Sequence, residues 1–341
     1  MGLFSFFNKE VAMDLGTANT IVIYNDKIII DEPSIVAIDK RKNNKIIAVG
    51  KKAMLMDGKE NPNIETIRPL KDGVIADFEM AQHLIREFIK MSGVARSVLS
   101  PALRMTICIP SGITNVEERA VRESAEQAGA KEIRMIHEPM AAAIGIGIDV
   151  TEPRGHLIVD IGGGTAEIAA ISLGGIVCKK SINVAGDEFN NNIYEDMRKR
   201  NNMVISSRMA ETIKIEAGSA ISELENPPED CEAFGRDLLS GIPKKVYVNY
   251  KEVAHALDKS VGRIESAILE TLSETPPGIA ADIYKNGIYL AGGGALLRGL
   301  DKRISEKTQL QVHIADDPLL AVARGTGIAL KNFDKFDFLI K

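Results

Sequence analysis

Two short stretches of this 341-residue chain combine residue types suited to phosphate chemistry. The first is Asp160-Ile161-Gly162-Gly163-Gly164-Thr165-Ala166-Glu167, set between the apolar runs Leu157-Ile158-Val159 and Ile168-Ala169-Ala170-Ile171. Two apolar runs joined by glycines read as a β-hairpin. Three consecutive glycines suit a backbone that bends and approaches a ligand closely. Bare amide N–H groups in such a bend cradle phosphate. Asp160 is then placed to hold a hard cation or its water shell. Taken alone, the stretch is better explained by an ordinary glycine-rich turn.

A second copy changes the balance. Val11-Ala12-Met13-Asp14-Leu15-Gly16-Thr17-Ala18-Asn19-Thr20-Ile21-Val22-Ile23 repeats the layout of apolar strand, Asp, Gly, Thr and apolar strand. Asp14 and Asp160 lie 146 residues apart, close to half the chain. One phosphate hairpin opening each half predicts two similar α/β domains clamping a polyphosphate. The chain has neither a Walker A pattern nor a GxGxxG fingerprint, so the paired hairpins must handle the phosphates.

Composition narrows the class. A hydrophobic content of 45% and a charged content of 26% are ordinary for a soluble globular protein, and the length suffices for two cored domains. A net charge of −5 argues against a general nucleic-acid binder. Cys108, Cys178 and Cys231 are odd in number and widely spaced, which fits a reducing, cytosolic compartment rather than a disulfide framework. The N-terminus carries three of the ten phenylalanines within Leu3, Phe4, Phe6 and Phe7, without a signal-peptide pattern. These side chains suit either a plug on the first domain or a short interfacial anchor. Val98-Leu99, flanked by serines, reads as core contact or as a second lipid-touching tip.

The elements that must position these residues follow from periodicity. Phe78, Ala81, Leu84, Ile85, Phe88 and Ile89 predict a helix over 77–91. Residues 104–110 read as a buried strand, and 115–128 as a helix with Asn115 as N-cap and Gly129 as its stop. A strand ends at Glu138-Pro139, where an alanine-rich helix begins that can pack closely on a neighbour. Gly186 opens another helix, and 210–217 is helical, with Glu211 and Lys214 on one face as a surface ion pair. Pro227-Pro228, Gly235 and Gly241 mark loops. A strand over 244–250 and a long helix over 253–272 follow. Residues 287–297 read as a strand, a glycine turn and a helix whose N-terminus favours anions. A last helix covers 317–330, and Phe333, Phe336 and Phe338 are expected to pack.

Asp14-Leu15-Gly16-Thr17, Asp160 to Thr165 and Ala291-Gly292-Gly293-Gly294-Ala295 resemble, in order and spacing, the actin-like ATPase superfamily of actin, seventy-kilodalton chaperones and sugar kinases. With Glu138-Pro139-Met140-Ala141-Ala142-Ala143-Ile144-Gly145, Asp317-Pro318-Leu319 and Ala323-Arg324-Gly325-Thr326-Gly327, the chain resembles the MreB family of bacterial actin homologues over essentially its whole length. The resemblance implies an α/β, actin-like fold: two duplicated domains, each with a small subdomain, around a nucleotide cleft. It implies a membrane-binding segment at 1–10, subdomain IA at 11–30, 66–143 and 316–341, IB at 31–65, IIA at 144–180 and 251–315, and IIB at 181–250.

The same resemblance assigns residues. Asp14, Gly16, Thr17, Ala18 and Asn19 would form the first phosphate hairpin, and Asp160, Gly162, Gly163 and Gly164 the second, with Asp160 meeting Mg2+ through water. Glu138 and Thr165 match the positions that orient the attacking water. Glu211, Thr212, Ile213 and Lys214 match the motif flanking ribose and adenine, and Gly292, Gly293, Gly294 and Ala295 the turn under the nucleoside. Leu3, Phe4, Phe6, Phe7, Val98 and Leu99 would touch the membrane. Four positions depart from the family pattern. Ala166 stands where a second Thr is common, removing a hydroxyl near the phosphates. Ala185 stands where Gly is common, and Ser207 and Met209 stand where Glu and Thr often flank the adenosine motif.

The implied function is a cytoskeletal ATPase with ATP/ADP and Mg2+ as cofactors. It would polymerise with itself on the inner face of the cell membrane, contact membrane lipids and membrane proteins of the cell-wall elongation machinery, and organise rod cell shape. Nucleic acid is not an expected partner. A division-type actin homologue, a chaperone ATPase and a small-molecule kinase are the competing readings. A chaperone needs a substrate-binding module after Lys341, and a kinase needs polar sugar-binding residues that the first half does not display.

Overall fold

The computed structural model describes residues 9–94, 103–333 and 336–340. Two five-stranded sheets carry the fold. In the first, β1 (Lys9–Leu15) and β2 (Asn19–Tyr24) form an antiparallel hairpin and β3 (Lys27–Pro33) continues it. On the other side β9 (Leu103–Ile109) and β10 (Ala130–His137) join in parallel, giving the order β10-β9-β1-β2-β3. In the second sheet β11 (His156–Ile161) and β12 (Ala166–Ser172) form the hairpin and β13 (Gly175–Ile182) continues it. Here β17 (Ile288–Ala291) and β18 (Val312–Ile314) are the parallel strands. The sequence of parallel and antiparallel pairings is the same in both sheets, so the halves are duplicates. β3 and β13 are the third strands of equivalent hairpins, and they carry the large sheets to Pro33 and Ile182.

Each half bears smaller sheets. β4 (Val36–Asp39) pairs with β5 (Lys45–Val49) and β6 (Ile64–Ile67), and β7 (Leu70–Lys71) pairs with β8 (Val74–Ile75). In the second half β15 (Cys231–Asp237) lies between β14 (Met203–Val204) and β16 (Pro243–Val248). Helices in the first half are α1 (Lys51–Met54), α2 (Phe78–Met91), α3 (Asn115–Gln127) and α4 (Glu138–Ile146). The remainder are α5 (Gly186–Arg200), α6 (Ser207–Ala217), α7 (Tyr250–Glu274), α8 (Pro277–Asn286), α9 (Leu300–Thr308) and α10 (Ala321–Lys331). No helix among the described residues is long and apolar enough to cross a membrane.

Among the described residues, three large apolar clusters hold this together. One lies under each sheet: Met13, Leu84, Phe88 and Ile107 in the first half, and Val159, Phe189, Leu257 and Leu290 in the second. A third bridges them through Ile136, Met140 and Ala141 to Ala143 on one side and Ile158, Ala169 and Ile171 on the other. Its tightest element is the crossing of α4 and α10. A Cβ on Gly145 would collide with the Ala321 carbonyl, and one on Gly325 with the Ala141 carbonyl. The alanine-rich helix therefore packs backbone to backbone, as its small residues predict. The C-terminal phenylalanines are packed as well. Arg104 and Arg134 each sit 4.6 Å from the centre of the Phe333 ring, and Phe336 stacks on Phe338 at 4.9 Å.

Several local expectations need correction. Thr114, not Asn115, caps α3: its hydroxyl accepts from the Glu117 amide while Glu117 reaches back to Thr114, a capping box. Gly235 lies inside β15 rather than in a turn, because a side chain there would strike the Val204 carbonyl of the neighbouring strand. Residues 293–296 form a 3-10 turn, and α9 starts only at Leu300, because Gly292 and Gly299 both take positive φ and break the helix between them. α10 begins four residues later than its pattern suggests. Asp317 sits at φ 51° and the Pro318 carbonyl is drawn off to the Gly292 amide. The strand over 244–250 stops at Val248, where Asn249 caps α7 through the Lys251 and Glu252 amides.

Candidate active site

The two Asp-bearing hairpins occupy equivalent places. Asp14 is the penultimate residue of β1, paired with Ile21 on one side and Cys108 on the other. Asp160 is the penultimate residue of β11, paired with Glu167 and Ala291. Their turns meet. A Cβ on Gly163 would fall 2.7 Å from the Ala18 Cβ and 3.0 Å from its amide nitrogen. A Cβ on Gly164 would fall 2.9 Å from both Thr17 Oγ1 and the Asp72 amide nitrogen. Distances under 3 Å leave no room for a side chain, so bare backbone faces backbone across the cleft.

Local hydrogen bonds fix both turns. Ser34 donates to the Gly16 carbonyl at 2.7 Å, and Thr17 Oγ1 accepts from the Gly73 amide at 3.0 Å. Gly162 N–H donates to the Thr165 carbonyl at 2.9 Å. The first amides of α5 then dock on the second turn: Gly186 donates to Gly162 O at 3.1 Å and Asp187 to Gly163 O at 2.8 Å. Helix amides that would otherwise lack partners are satisfied this way, so Ala185 as N-cap needs no polar side chain. Ala166 points with Ile168 and Ala170 into the core of the second half. Strand alternation thus takes its missing hydroxyl away from the phosphate side, contrary to the expectation for that substitution.

Three acids converge below the turns. Burial pushes Asp14 up to about 7 from the ordinary 3.8. Asp160 is raised by burial, then by the charges of Asp14 and Glu167. Glu138, at the junction of β10 and α4, is raised well above the usual carboxylate range by burial and by Asp160, Glu167 and Asp14. Burial, with these acids, also raises the Cys108 thiol. Carboxylates crowded in a poorly solvated place call for a cation. Asp160 Oδ1 is buried without a hydrogen-bond partner among the described residues. Gly292 leaves open the approach to it, since a Cβ there would sit 2.5 Å away. This donor set fits Mg2+. No group of three or more His, Cys, Asp or Glu residues that could hold a metal occurs among the described residues, so an ion here would need further ligands from outside the protein.

A cavity of about 470 Å³ opens beside the first turn. It is lined by Ala18 and Asn19 from that hairpin, by Arg68, by Asp187, Asn190 and Tyr194 on α5, and by Ser207, Ala210 and Glu211 on α6. Asn190 Oδ1 is likewise buried without a hydrogen-bond partner among the described residues. Lys214 donates to the Gly186 carbonyl at 3.2 Å; burial lowers its pKa against the pull of Glu211 and Asp187. It therefore ties α6 to α5 rather than sitting in a solvated ion pair. Ile213 is buried in the core and Thr212 donates to the Arg208 carbonyl, so neither lines the cavity. Gly292, Gly294 and Ala295 pack on the second hairpin: the first two against Ile161, the last in the core. Sequence reading missed Arg68, Asp187, Asn190 and Tyr194. The only signals were an acid just inside a helix start and the run Asn190-Asn191-Asn192. Leu3, Phe4, Phe6, Phe7, Val98 and Leu99 lie outside the described residues.

A family model described as MreB/Mbl protein matches residues 8–337. The chain belongs to the MreB/Mbl family. It is 43% identical to the cell shape-determining protein Mbl of Bacillus subtilis over 330 residues, covering 96% of this chain and 98% of that protein. It is 44% identical to the cell shape-determining protein MreB of Escherichia coli over 332 residues, covering 96% and 95% respectively. Among solved structures it resembles MreB 5 of Spiroplasma citri bound to AMPPNP, with a TM-score of 0.89 at 37% identity over 96% of this chain and 97% of that one. The fold is actin-like, and within the MreB/Mbl family the duplicated sheets are the two halves of that fold.

Proposed function

We propose that this chain is an ATP-hydrolysing cytoskeletal protein. In this reading it assembles into filaments on the inner face of the cell membrane and organises cell-wall synthesis and rod shape. The observation that carries it is the buried Asp160 Oδ1, without a hydrogen-bond partner among the described residues, beneath two hairpin turns that touch across a cleft. MreB 5 of Spiroplasma citri, solved bound to AMPPNP, supports a nucleotide as the ligand. The triphosphate would lie between residues 16–19 and 162–165, where backbone amides replace solvent around its oxygens. Adenosine would occupy the cavity between Asn19, Asp187 and Glu211. Asp160 would hold Mg2+ through its water shell, and the ion would supply charge neutralisation at the terminal phosphates. Glu138 with Thr165 would orient the attacking water. Catalysis on this scheme is positioning and electrostatics. The partners proposed are further copies of the chain, inner-membrane lipids and membrane proteins of the elongation machinery.

Light scattering and phosphate release, recorded together after adding ATP and Mg2+, test this reading. Scattering should rise with protein concentration and phosphate should follow. A soluble kinase or chaperone would hydrolyse or transfer without scattering. Absence of both signals over a wide concentration range would sink the proposal.

A further inference from the structure

The seam between the halves contains a buried carboxylate that the scheme above does not use. Glu167 lies on β12, fully buried, with its face of the strand turned to the seam. Its Oε2 accepts from both the amide, at 3.1 Å, and the hydroxyl of Ser111, which follows β9 in the other half. Its Oε1 accepts from the Ser181 hydroxyl on β13. Lys179, two residues earlier on the same strand, donates to the Ser111 carbonyl. Two side chains of the second half, Glu167 and Lys179, thus grip one residue of the first, and Ser181 braces Glu167. A carboxyl buried this deeply needs several hydrogen-bond partners, and here they come from both halves.

The grip reaches the residues assigned to water. Pro110 precedes Ser111 and abuts Gly73: a Cβ on that glycine would fall 3.0 Å from Pro110 Cγ and 2.9 Å from Thr165 Cγ2. The Pro110 carbonyl lies 3.3 Å from His137 Nδ1, on the residue just before Glu138. Residues 110–111 therefore stand between the supports of Thr165, from one half, and of Glu138, from the other. We propose that Glu167 is a positioning residue for hydrolysis: by clamping Ser111 it holds Glu138 and Thr165 in one frame when the halves meet. This rests on the ATPase reading.

The test compares full-length wild type, Glu167→Gln, the double variant Ser111→Ala/Ser181→Ala, and Glu138→Ala. Glu167→Gln keeps the shape but loses one acceptor oxygen. Expected are AMPPNP affinity within about threefold of wild type and a single-turnover rate lower by at least about tenfold, a split that a merely destabilised fold would not give. Hydrogen exchange at residues 109–113, measured without nucleotide, should quicken several-fold. The double variant keeps the acid and removes two donors; it should also slow turnover at unchanged affinity, and it serves if Glu167→Gln fails to fold. If wild type hydrolyses ATP and Glu138→Ala is slow while neither clamp variant is, this inference alone is overturned. Unchanged exchange, or affinity falling in step with rate, also overturns it. A wild type that releases no phosphate overturns the ATPase reading instead, and the role of Glu167 in hydrolysis falls with it.

Discussion

Gly163 and Ala18 belong to hairpins on opposite halves of the chain, yet a Cβ on the glycine would lie 2.7 Å from the Ala18 Cβ. The turns meet here through two of the smallest residues available. Gly163→Ala should push the turns apart. We expect AMPPNP affinity to fall by about tenfold or more, because amides held for one phosphate no longer converge. Calorimetry measures it, and Ala18→Gly in the same chain should restore part of the loss.

Glu138 stands at the start of α4 with its carboxyl raised by burial and three neighbouring acids. Glu138→Ala should bind ATP nearly as well as wild type and hydrolyse it ~10²–10⁴-fold more slowly, the usual worth of a positioned group. Phosphate release at the wild-type rate would remove Glu138 from the catalytic role.

Asp160, whose Oδ1 has no hydrogen-bond partner among the described residues, should matter more to metal than Asp14 does. Asp160→Ala is expected to lose most of the Mg2+-dependent part of ATP affinity. Asp14→Asn should cost less when the two are titrated with and without Mg2+. Equal Mg2+ dependence in Asp160→Ala and wild type would count against the assignment.

Asp14 also makes the nucleotide-free protein sensitive to pH. Its carboxyl is raised to about 7 from 3.8. A raised carboxyl favours the folded state when protonated. Its contribution is full below pH 4 and is lost as pH climbs through 7. Denaturant melts at pH 5.5 and 8 should show wild type losing more stability over that interval than Asp14→Asn, by about 2 kcal/mol at ~1.4 kcal/mol per pKa unit. A parallel loss in both proteins would place the raised group elsewhere.

Leu3, Phe4, Phe6 and Phe7 make the N-terminus apolar. Four such side chains give at most several kcal/mol at ~1.5–3 kcal/mol each, so a single chain should bind lipid weakly and an assembly firmly. Deleting residues 2–7 should sharply reduce liposome co-sedimentation of ATP-assembled protein while leaving hydrolysis intact. A lowered melting temperature with undiminished lipid binding would instead identify a plug.

Local grammar was legible in the sequence wherever one face of an element is buried. The apolar spacing of α2, the Asp–Gly–Thr hairpins, Pro139 at the start of α4 and the alanines that follow all act within a few residues. Short-range sterics and period are enough to determine such features. β13, β18 and α8 were not read, because edge strands and half-exposed helices carry little periodicity and their place is set by neighbours.

The sequence by itself determined that two Asp–Gly–Thr hairpins exist, where each lies, and that each opens one half. It could not decide what faces what. Asn190 and Tyr194 join the cavity only because α5 docks its first amides on the Gly162 and Gly163 carbonyls. Lys214 leaves its neighbour Glu211 for Gly186 because α6 packs beside α5. Ala166 turns to the core and Glu167 to the seam because β12 pairs in one register, and a shift by one residue would exchange them. The carboxyls of Asp14, Glu138 and Asp160 become unusual acids only when long-range pairing of β1, β9, β10 and β11 brings them into one poorly solvated place. Spacing along the chain contains no measure of that desolvation.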